Sequence, residues 1–279
     1  MKQVNYSWKT QDGLEIEAVE WLPEGKTKAV IALVHGLGEH ALRYEYVAQK
    51  FTDAGYILSG FDLRGHGRSA GPRGHAPSYD AMMDDIQKSL DEASARHPGL
   101  PVFLYGHSLG GNLVLYFSIT RQAQVKGAIV TSPGLGTAKP VNGATLFLGK
   151  VMYTLAPTFK INNGLDRSGL ARDPEVEKKY SADPLVHPYI SSRLGLDMLA
   201  NGKFILENPT KIHWPLLLMQ GSADRLVSPE LTRKFAEITP KKLVTYKEWE
   251  GYYHELHNEP EKDQVIQVML DWLNTKKGE

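Results

Sequence analysis

The chain predicts an α/β fold built on a mostly parallel sheet, and three observations carry this. Short apolar runs such as Ala29 to Val34 recur along the sequence, as expected of strands buried on both faces. Segments of helical period lie between them. Runs and helical segments alternate, the pattern of βα units whose crossovers keep neighbouring strands parallel. At 279 residues and 42% hydrophobic, the chain suits one domain with an insertion, or at most two domains, around a sizeable core.

In chain order, segments near Val4 to Lys9 and Glu15 to Trp21 flank Asp12-Gly13, which reads as a hairpin turn. Buried strands are expected at Ala29 to Val34, Tyr56 to Phe61, Val102 to Tyr105, Gly127 to Val130, Leu216 to Met219 and Leu243 to Tyr246. Tyr79, Met82, Met83, Ile86, Leu90 and Ala93 recur at steps of three and four and predict a helix. Val265, Ile266, Met269, Trp272 and Leu273 predict another at the C-terminal end. Residues from Pro133 to Ile190 break the rhythm and are too long for an ordinary βα connection. The expected division is a core of residues 1–133 and 191–279 with an inserted helical cap at 134–190. Within the cap, Phe147, Leu148, Val151, Met152, Leu155 and Phe159 form an apolar helical stripe. It can pack on the main domain, line a substrate cavity, or both.

Composition narrows the function. Lys plus Arg number 32 and Asp plus Glu number 32, so the charge balance gives no reason to expect a nucleic-acid partner. The absence of cysteine excludes disulfides, thiolate metal sites and Cys nucleophiles. Met1 to Thr10 is polar, without a basic segment followed by an apolar one, and no apolar run reaches membrane-span length. A cytoplasmic protein is the expectation.

Gly106-His107-Ser108-Leu109-Gly110 fits G-x-S-x-G between an expected strand and a helix-compatible segment. That context turns a weak pattern into a nucleophile candidate, Ser108. A sharp turn would lift its hydroxyl above the sheet, and the glycines two positions either side avoid clashes there. A serine hydroxyl needs an adjacent base, and on this scaffold the order is Ser, then Asp or Glu, then His. Asp224 follows the strand at Leu216 to Met219 and is the candidate acid. Its competing role is a helix cap or loop aspartate. His254 and His257 follow Gly251. His254 comes soonest after the glycine turn and is the candidate base, with His257 about one turn further along. His35-Gly36-Leu37-Gly38 follows the strand at Ala29 to Val34, so Leu37 and Leu109 are the candidate backbone donors to a developing oxyanion. No metal-ligand spacing appears among the histidines, and this chemistry needs no metal or organic cofactor.

Blocks spread over nearly the whole chain resemble monoacylglycerol lipases and related lysophospholipase-like hydrolases of the α/β-hydrolase superfamily. They are His35-Gly-Leu-Gly-Glu-His40, Arg43-Tyr44-Glu45, Asp62-Leu-Arg-Gly-His-Gly-Arg-Ser69, Gly106-His-Ser-Leu-Gly-Gly111, Ser181-Ala-Asp-Pro-Leu185, Gln220-Gly-Ser-Ala-Asp-Arg-Leu226 and Tyr253-His-Glu-Leu-His257. The resemblance implies the α/β-hydrolase fold, Ser108, Asp224 and His254 as a catalytic triad, and a small lipid ester as substrate. It also implies that Glu39, Arg43 and His257 sit near a glycerol headgroup. The residues alone would make Glu39 a helix-start acid and Arg43 a solvated base. Family members often carry a cysteine shortly after the triad acid, where Val227 stands here, so sensitivity to thiol reagents is not expected. Ala138 to Asn163 is the least family-like stretch. A lysophospholipase or general carboxylesterase is the alternative, and a protein that only binds ligand is disfavoured because a candidate for each triad member is kept. Oligomeric state, and transient membrane or micelle contact through the cap, stay open at this level.

Overall fold

A computed structural model describes residues 1–276. Eight strands form one sheet, in the order β1-β2-β4-β3-β5-β6-β9-β10. β1 (Lys2–Lys9) and β2 (Glu15–Leu22) pair antiparallel, and β2 pairs antiparallel with β4 (Tyr56–Phe61). From β4 onward, through β3 (Ala29–Val34), β5 (Val102–His107), β6 (Ala128–Thr131), β9 (Leu216–Gly221) and β10 (Val244–Trp249), every pairing is parallel. The link between β1 and β2 is wider than a two-residue turn. Gly13 takes φ 84°, and Thr10 closes the loop by accepting the Leu14 N–H on its hydroxyl.

The sheet is covered on both faces because β3 splits its side chains by period two. Val30, Ala32 and Val34 join one core with Met82, Ile86, Leu113, Phe117 and Phe235. These belong to α2 (Tyr79–Arg96), α3 (Leu109–Thr120) and α7 (Pro229–Ile238). Ala29, Ile31 and Leu33 join the other with Phe51, Met269 and Leu273. These come from α1 (Glu45–Asp53) and α8 (Lys262–Thr275). Ser78 starts α2 by accepting the Ala81 N–H on its side chain, a stop–start device that fixes where the periodic stripe becomes helix.

The strands expected at Ala29 to Val34 and Tyr56 to Phe61 are present with those bounds, and the others are present with shifted ends. β5 runs two residues past Tyr105, and β10 continues from Tyr246 to Trp249. In both cases the polar or glycine end is held by register: Gly106 and His107 pair with Val130 and Thr131, and Trp249 pairs with Gly221. Apolar runs mark where a strand is buried, whereas neighbouring strands decide where it stops.

Between β6 and β9 lie α4 (Gly143–Leu155), β7 (Lys160–Asn162), α5 (Pro174–Ala182), β8 (Tyr189–Ser191) and α6 (Ser192–Glu207). β7 and β8 pair as a small antiparallel ribbon. α6 begins at Ser192, just past the end expected for the cap, and packs against both α4 and α3. The inserted segment is stitched to the loops after β3 and β4 by His187, whose N–H donates to Gly38 O at 2.9 Å, and by Ser191, whose N–H donates to Gly74 O at 2.8 Å.

The strand order reverses between β3 and β5, since β4 lies on one side of this pair and β6 on the other. Loops leaving adjacent strands there diverge and open a crevice at the carboxyl ends. Holding that crevice shut behind requires α3 to start almost on top of β3. A Cβ on Gly110 would lie 1.9 Å from Val34 O and 2.6 Å from His35 O. We expect Gly110→Ala to cost about 3 kcal/mol through the backbone shift that overpacking forces. Gly143→Ala, where a Cβ would meet nothing within 4 Å, should stay within about 0.5 kcal/mol. Urea unfolding of the two variants measures this difference.

Candidate active site

The loop after β5 is the tightest feature of the crevice. Ser108 has φ 55° and ψ −115°, a region that non-glycine residues occupy only under constraint. The constraint is visible on both sides. The Ser108 N–H donates to Thr131 O at 3.0 Å, and Ser108 O accepts from Asn112 and Gly134. A Cβ on Gly106 would meet Gly110 O at 2.5 Å, so the motif's first glycine permits the turn that its last glycine packs against β3.

His254 Nε2 lies 2.9 Å from Ser108 Oγ, and His254 Nδ1 lies 2.7 Å from Asp224 Oδ2. A carboxylate only accepts, so Nδ1–H donates to Asp224, which leaves Nε2 to accept the serine proton. Asp224 is itself held at every lone pair. Oδ1 accepts the Leu226 and Val227 N–H groups at 2.8 and 3.1 Å, and Oδ2 also accepts from Gln220 Nε2 at 2.9 Å. Burial works against a charge on His254, but Asp224, with smaller help from Glu255 and Glu39, holds its pKa above the ordinary value. The histidine loop is anchored through Ser132, whose hydroxyl donates to His254 O at 2.7 Å.

Leu37 follows β3 and lines the cavity in front of Ser108, while Leu109 is the first residue of α3. Neither N–H donates to another protein group among the described residues. The Leu109 donor is one of the orphan amides at the start of a helix, where the peptide dipoles favour negative charge.

The three expected headgroup residues separate. Glu39 lines the cavity, but its oxygens are engaged: Oε1 accepts the Gly36 N–H at 2.6 Å and the Tyr44 hydroxyl at 2.9 Å, and Oε2 accepts from Arg43. Arg43 is not a solvated base, and it does not line the cavity. Its side chain is 10% exposed and pairs with Glu39 and, at 2.8 Å through each terminal nitrogen, with Glu255. Burial opposes charge at both partners. The guanidinium prevails at Glu255, holding its carboxyl down at about 2. His257 also lies behind the wall. It stacks on Tyr44 with ring centroids 4.6 Å apart and meets His107 edge-on at 4.9 Å. Burial pushes its pKa down to about 4 against the pull of Glu255 and Glu39, so it is a neutral packed ring. Sequence spacing cannot distinguish a residue that faces a cavity from one a layer behind it.

Several positioning side chains were not singled out from sequence: Gln220, Ser132, Glu255 and Tyr180. Gln220 carried a trace, being a polar residue at the end of an otherwise apolar strand. Tyr180 comes from α5 and reaches the cavity only because the inserted segment folds back.

The cavity measures about 500 Å³. Ser108 and His254 lie on its floor, and Leu146, Gly149 and Leu196 of α4 and α6 are among its walls. A serine, a histidine and an aspartate hydrogen-bonded in series at the switch point of this sheet make the molecule an α/β-hydrolase. The chain belongs to the family described as serine aminopeptidase, S33, whose model matches residues 25–261. A monoacylglycerol lipase of Mycolicibacterium smegmatis is 31% identical over 96% of this chain and 96% of its own. A Bacillus subtilis phospholipase is 33% identical over 86% of this chain and 93% of its own. An uncharacterized abhydrolase domain-containing protein of Dictyostelium discoideum is 35% identical over 96% of this chain, which spans only 28% of that longer protein. The crystal structure of a Paleococcus ferrophilus monoacylglycerol lipase, 32% identical, superposes with TM-score 0.83 over 99% of this chain and 100% of that one.

Because Asp224 favours the charged ring, His254 should titrate above the ordinary histidine value of about 6.5. Asp224→Asn should move that titration downward. Histidine ring proton NMR across pH 5 to 9 measures both; an unmoved His254 would contradict the assignment of Asp224 as its main partner.

Proposed function

We propose that the protein hydrolyses monoacylglycerols to glycerol and fatty acid. The observation that carries this reading is the hydrogen-bonded series Ser108–His254–Asp224 on the floor of a largely apolar cavity. The names of its relatives support the substrate class, and the match to the lipase from Mycolicibacterium smegmatis covers 96% of each chain. In this reading Ser108 Oγ attacks the ester carbonyl while His254 Nε2 takes its proton. The tetrahedral oxygen is met by the Leu37 and Leu109 N–H groups, and Asp224 stabilises the imidazolium. Collapse breaks the ester C–O bond, and His254 returns the proton to the departing glycerol oxygen. Water then attacks the acyl-serine, again giving a proton to His254, and the fatty acid leaves with Ser108 restored.

The acyl chain fits the apolar side of the cavity under α4 and α6, where each buried methylene contributes about 0.8 kcal/mol. We treat the segment from residue 134, extended through α6, as a cap on a core formed by the rest. The glycerol headgroup would meet the end that Glu39 and Tyr180 line, with Arg43 and His257 packed behind that wall. A cytoplasmic location belongs to the same proposal, and cell fractionation tests it.

Ser108→Ala should reduce ester turnover by at least about 10³-fold, as loss of a nucleophile does in such triads. An undiminished rate would sink the reading. A panel of monoacylglycerols, triacylglycerols, lysophospholipids and aryl esters separates the substrate classes, with highest kcat/KM expected on monoacylglycerols. The phospholipase relative makes lysophospholipid the competing result.

The outer side of α4 also belongs to this proposal. No residue of α4 is buried, and Phe147, Leu148 and Leu155 are 71, 56 and 77% exposed. Beside a lipid-ester cavity, an apolar patch of this kind fits contact with the surface that presents the substrate. Phe147→Ser with Leu155→Ser should lower turnover of vesicle-borne monoacylglycerol several-fold while leaving a dissolved short-chain ester unchanged. Equal rates on vesicles would remove the surface role.

A further inference from the structure

We infer that Arg43 is a positioning residue that ties the loop presenting the Leu37 N–H to the loop carrying His254. The inference rests on the catalytic reading above and assigns Arg43 a role different from headgroup recognition. One guanidinium spans the two loops. Its Nη1 donates to Glu39 Oε2 at 2.5 Å and to Glu255 Oε1 at 2.8 Å, and its Nη2 donates to Glu255 Oε2 at 2.8 Å. Glu39 passes the constraint forward, because its other oxygen accepts the N–H of Gly36, the residue before Leu37. Glu255 passes it the other way, because it directly follows His254, and its own N–H donates to Leu170 O at 2.6 Å.

The base of the tie is firm. Arg43 lies in the 3-10 turn Ala41–Tyr44, whose Ala41 N–H donates to buried Asp62 at 2.9 Å. Its guanidinium carbon lies 4.7 Å from the centroid of the Tyr180 ring, so an aromatic face from the inserted segment covers it. The Tyr44 hydroxyl gives Glu39 Oε1 a second donor, which fixes the carboxylate in the orientation that holds Gly36. A Cβ on Gly36 would come within 2.8 Å of that oxygen and 3.2 Å of Ser108 Cβ, so the loop, the carboxylate and the nucleophile are packed as one layer.

The consequence is catalytic rather than affinity-related. An oxyanion donor is effective only if it is already aimed when charge develops. Without the guanidinium, Glu39 and Glu255 become two buried like charges on facing loops. Each must then take up a proton, admit water or swing away, and a Glu39 that swings releases Gly36 and with it the aim of Leu37. The cost falls on the transition state for any ester, with or without glycerol.

The test measures kcat and KM of Arg43→Gln, Arg43→Lys and Glu39→Gln on a monoacylglycerol and on a short aryl ester that has no glycerol. Working sites are counted by active-site titration, so that unfolded protein lowers the count and not the rate per site. Losing one oxyanion donor typically slows catalysis about 10²–10³-fold, and a misaimed donor should cost Arg43→Gln about 10–100-fold in kcat per site. The loss should be equal on both esters, with KM within about threefold. Glu39→Gln keeps an oxygen for the Gly36 N–H but turns an N–H group toward Arg43, so it breaks the tie on that side and should also lower kcat on both esters. A loss confined to the monoacylglycerol and appearing in KM, or an unchanged kcat on both esters, would overturn the inference. Should Arg43→Gln fail to fold, Arg43→Lys carries the same reading, since one ammonium cannot hold both carboxylates in bidentate geometry. A reduced kcat per site on both esters is then expected, and full kcat overturns the tie. Ser108→Ala in the same assay separates the two levels. Undiminished turnover there removes the catalytic reading, whereas full loss there beside unchanged Arg43 variants removes only the tie.

Discussion

The close approach of α3 to the end of β3 is the constraint on which the rest of the site depends. With no side chain at Gly110, the first turn of the helix lies against the carbonyls of Val34 and His35. That contact leaves the five residues from Gly106 to Gly110 no room for an ordinary turn, and Ser108 is held at positive φ. A non-glycine residue in such a region costs of order 1–3 kcal/mol. The parallel ladder between β3, β5 and β6 supplies the rigidity that makes the strain tolerable. The same approach sets the amide of Leu109 beside the loop of Leu37, because the helix start and the end of β3 are neighbours. The position of Ser108 and the placement of the Leu37 and Leu109 amides are thus two results of one packing event.

Charge is handled in two separate layers. Asp224 faces the histidine directly, and with four donors on its two oxygens it has no freedom to rotate away from Nδ1. Behind the other wall, Glu39, Arg43 and Glu255 form a buried network that is compact and internally neutralised to within one charge. Burying such groups is costly unless every lone pair and proton is used. Here the partners are short contacts between the loop after β3, the turn before α1 and the loop after β10. A hydrophobic cluster in that place would pack as well, but it could not specify direction, and direction is what a backbone donor needs.

The inserted segment gives the crevice depth. Without α4 and α6 the loops at the switch point would open to water, and an acyl chain would gain little by binding there. α6 makes this possible by packing on both α3 and α4, so the roof is built on the same helix that begins at Leu109. Tyr180 links the two regions, lining the cavity while covering Arg43.

The sequence by itself determined the sheet, the helices that cover it and the order of the chemical residues. Strand burial follows from local apolar runs, helices from their period, and the elbow at Ser108 from glycines that only a tight turn requires. Those are properties of near neighbours in the chain, and pattern reads them well. It erred where distance in sequence is large. Arg43 reads as solvated, because a basic residue in a short polar stretch normally is. Its burial depends on Glu255, 212 positions away, and on Tyr180 from the inserted segment. His257 has the spacing of a cavity residue and is a packed ring one layer back, because the turn Leu256–Asn258 stacks it on Tyr44. Local physics wrote the list of parts, and only tertiary packing decided which of them face the cavity and which hold the others in place.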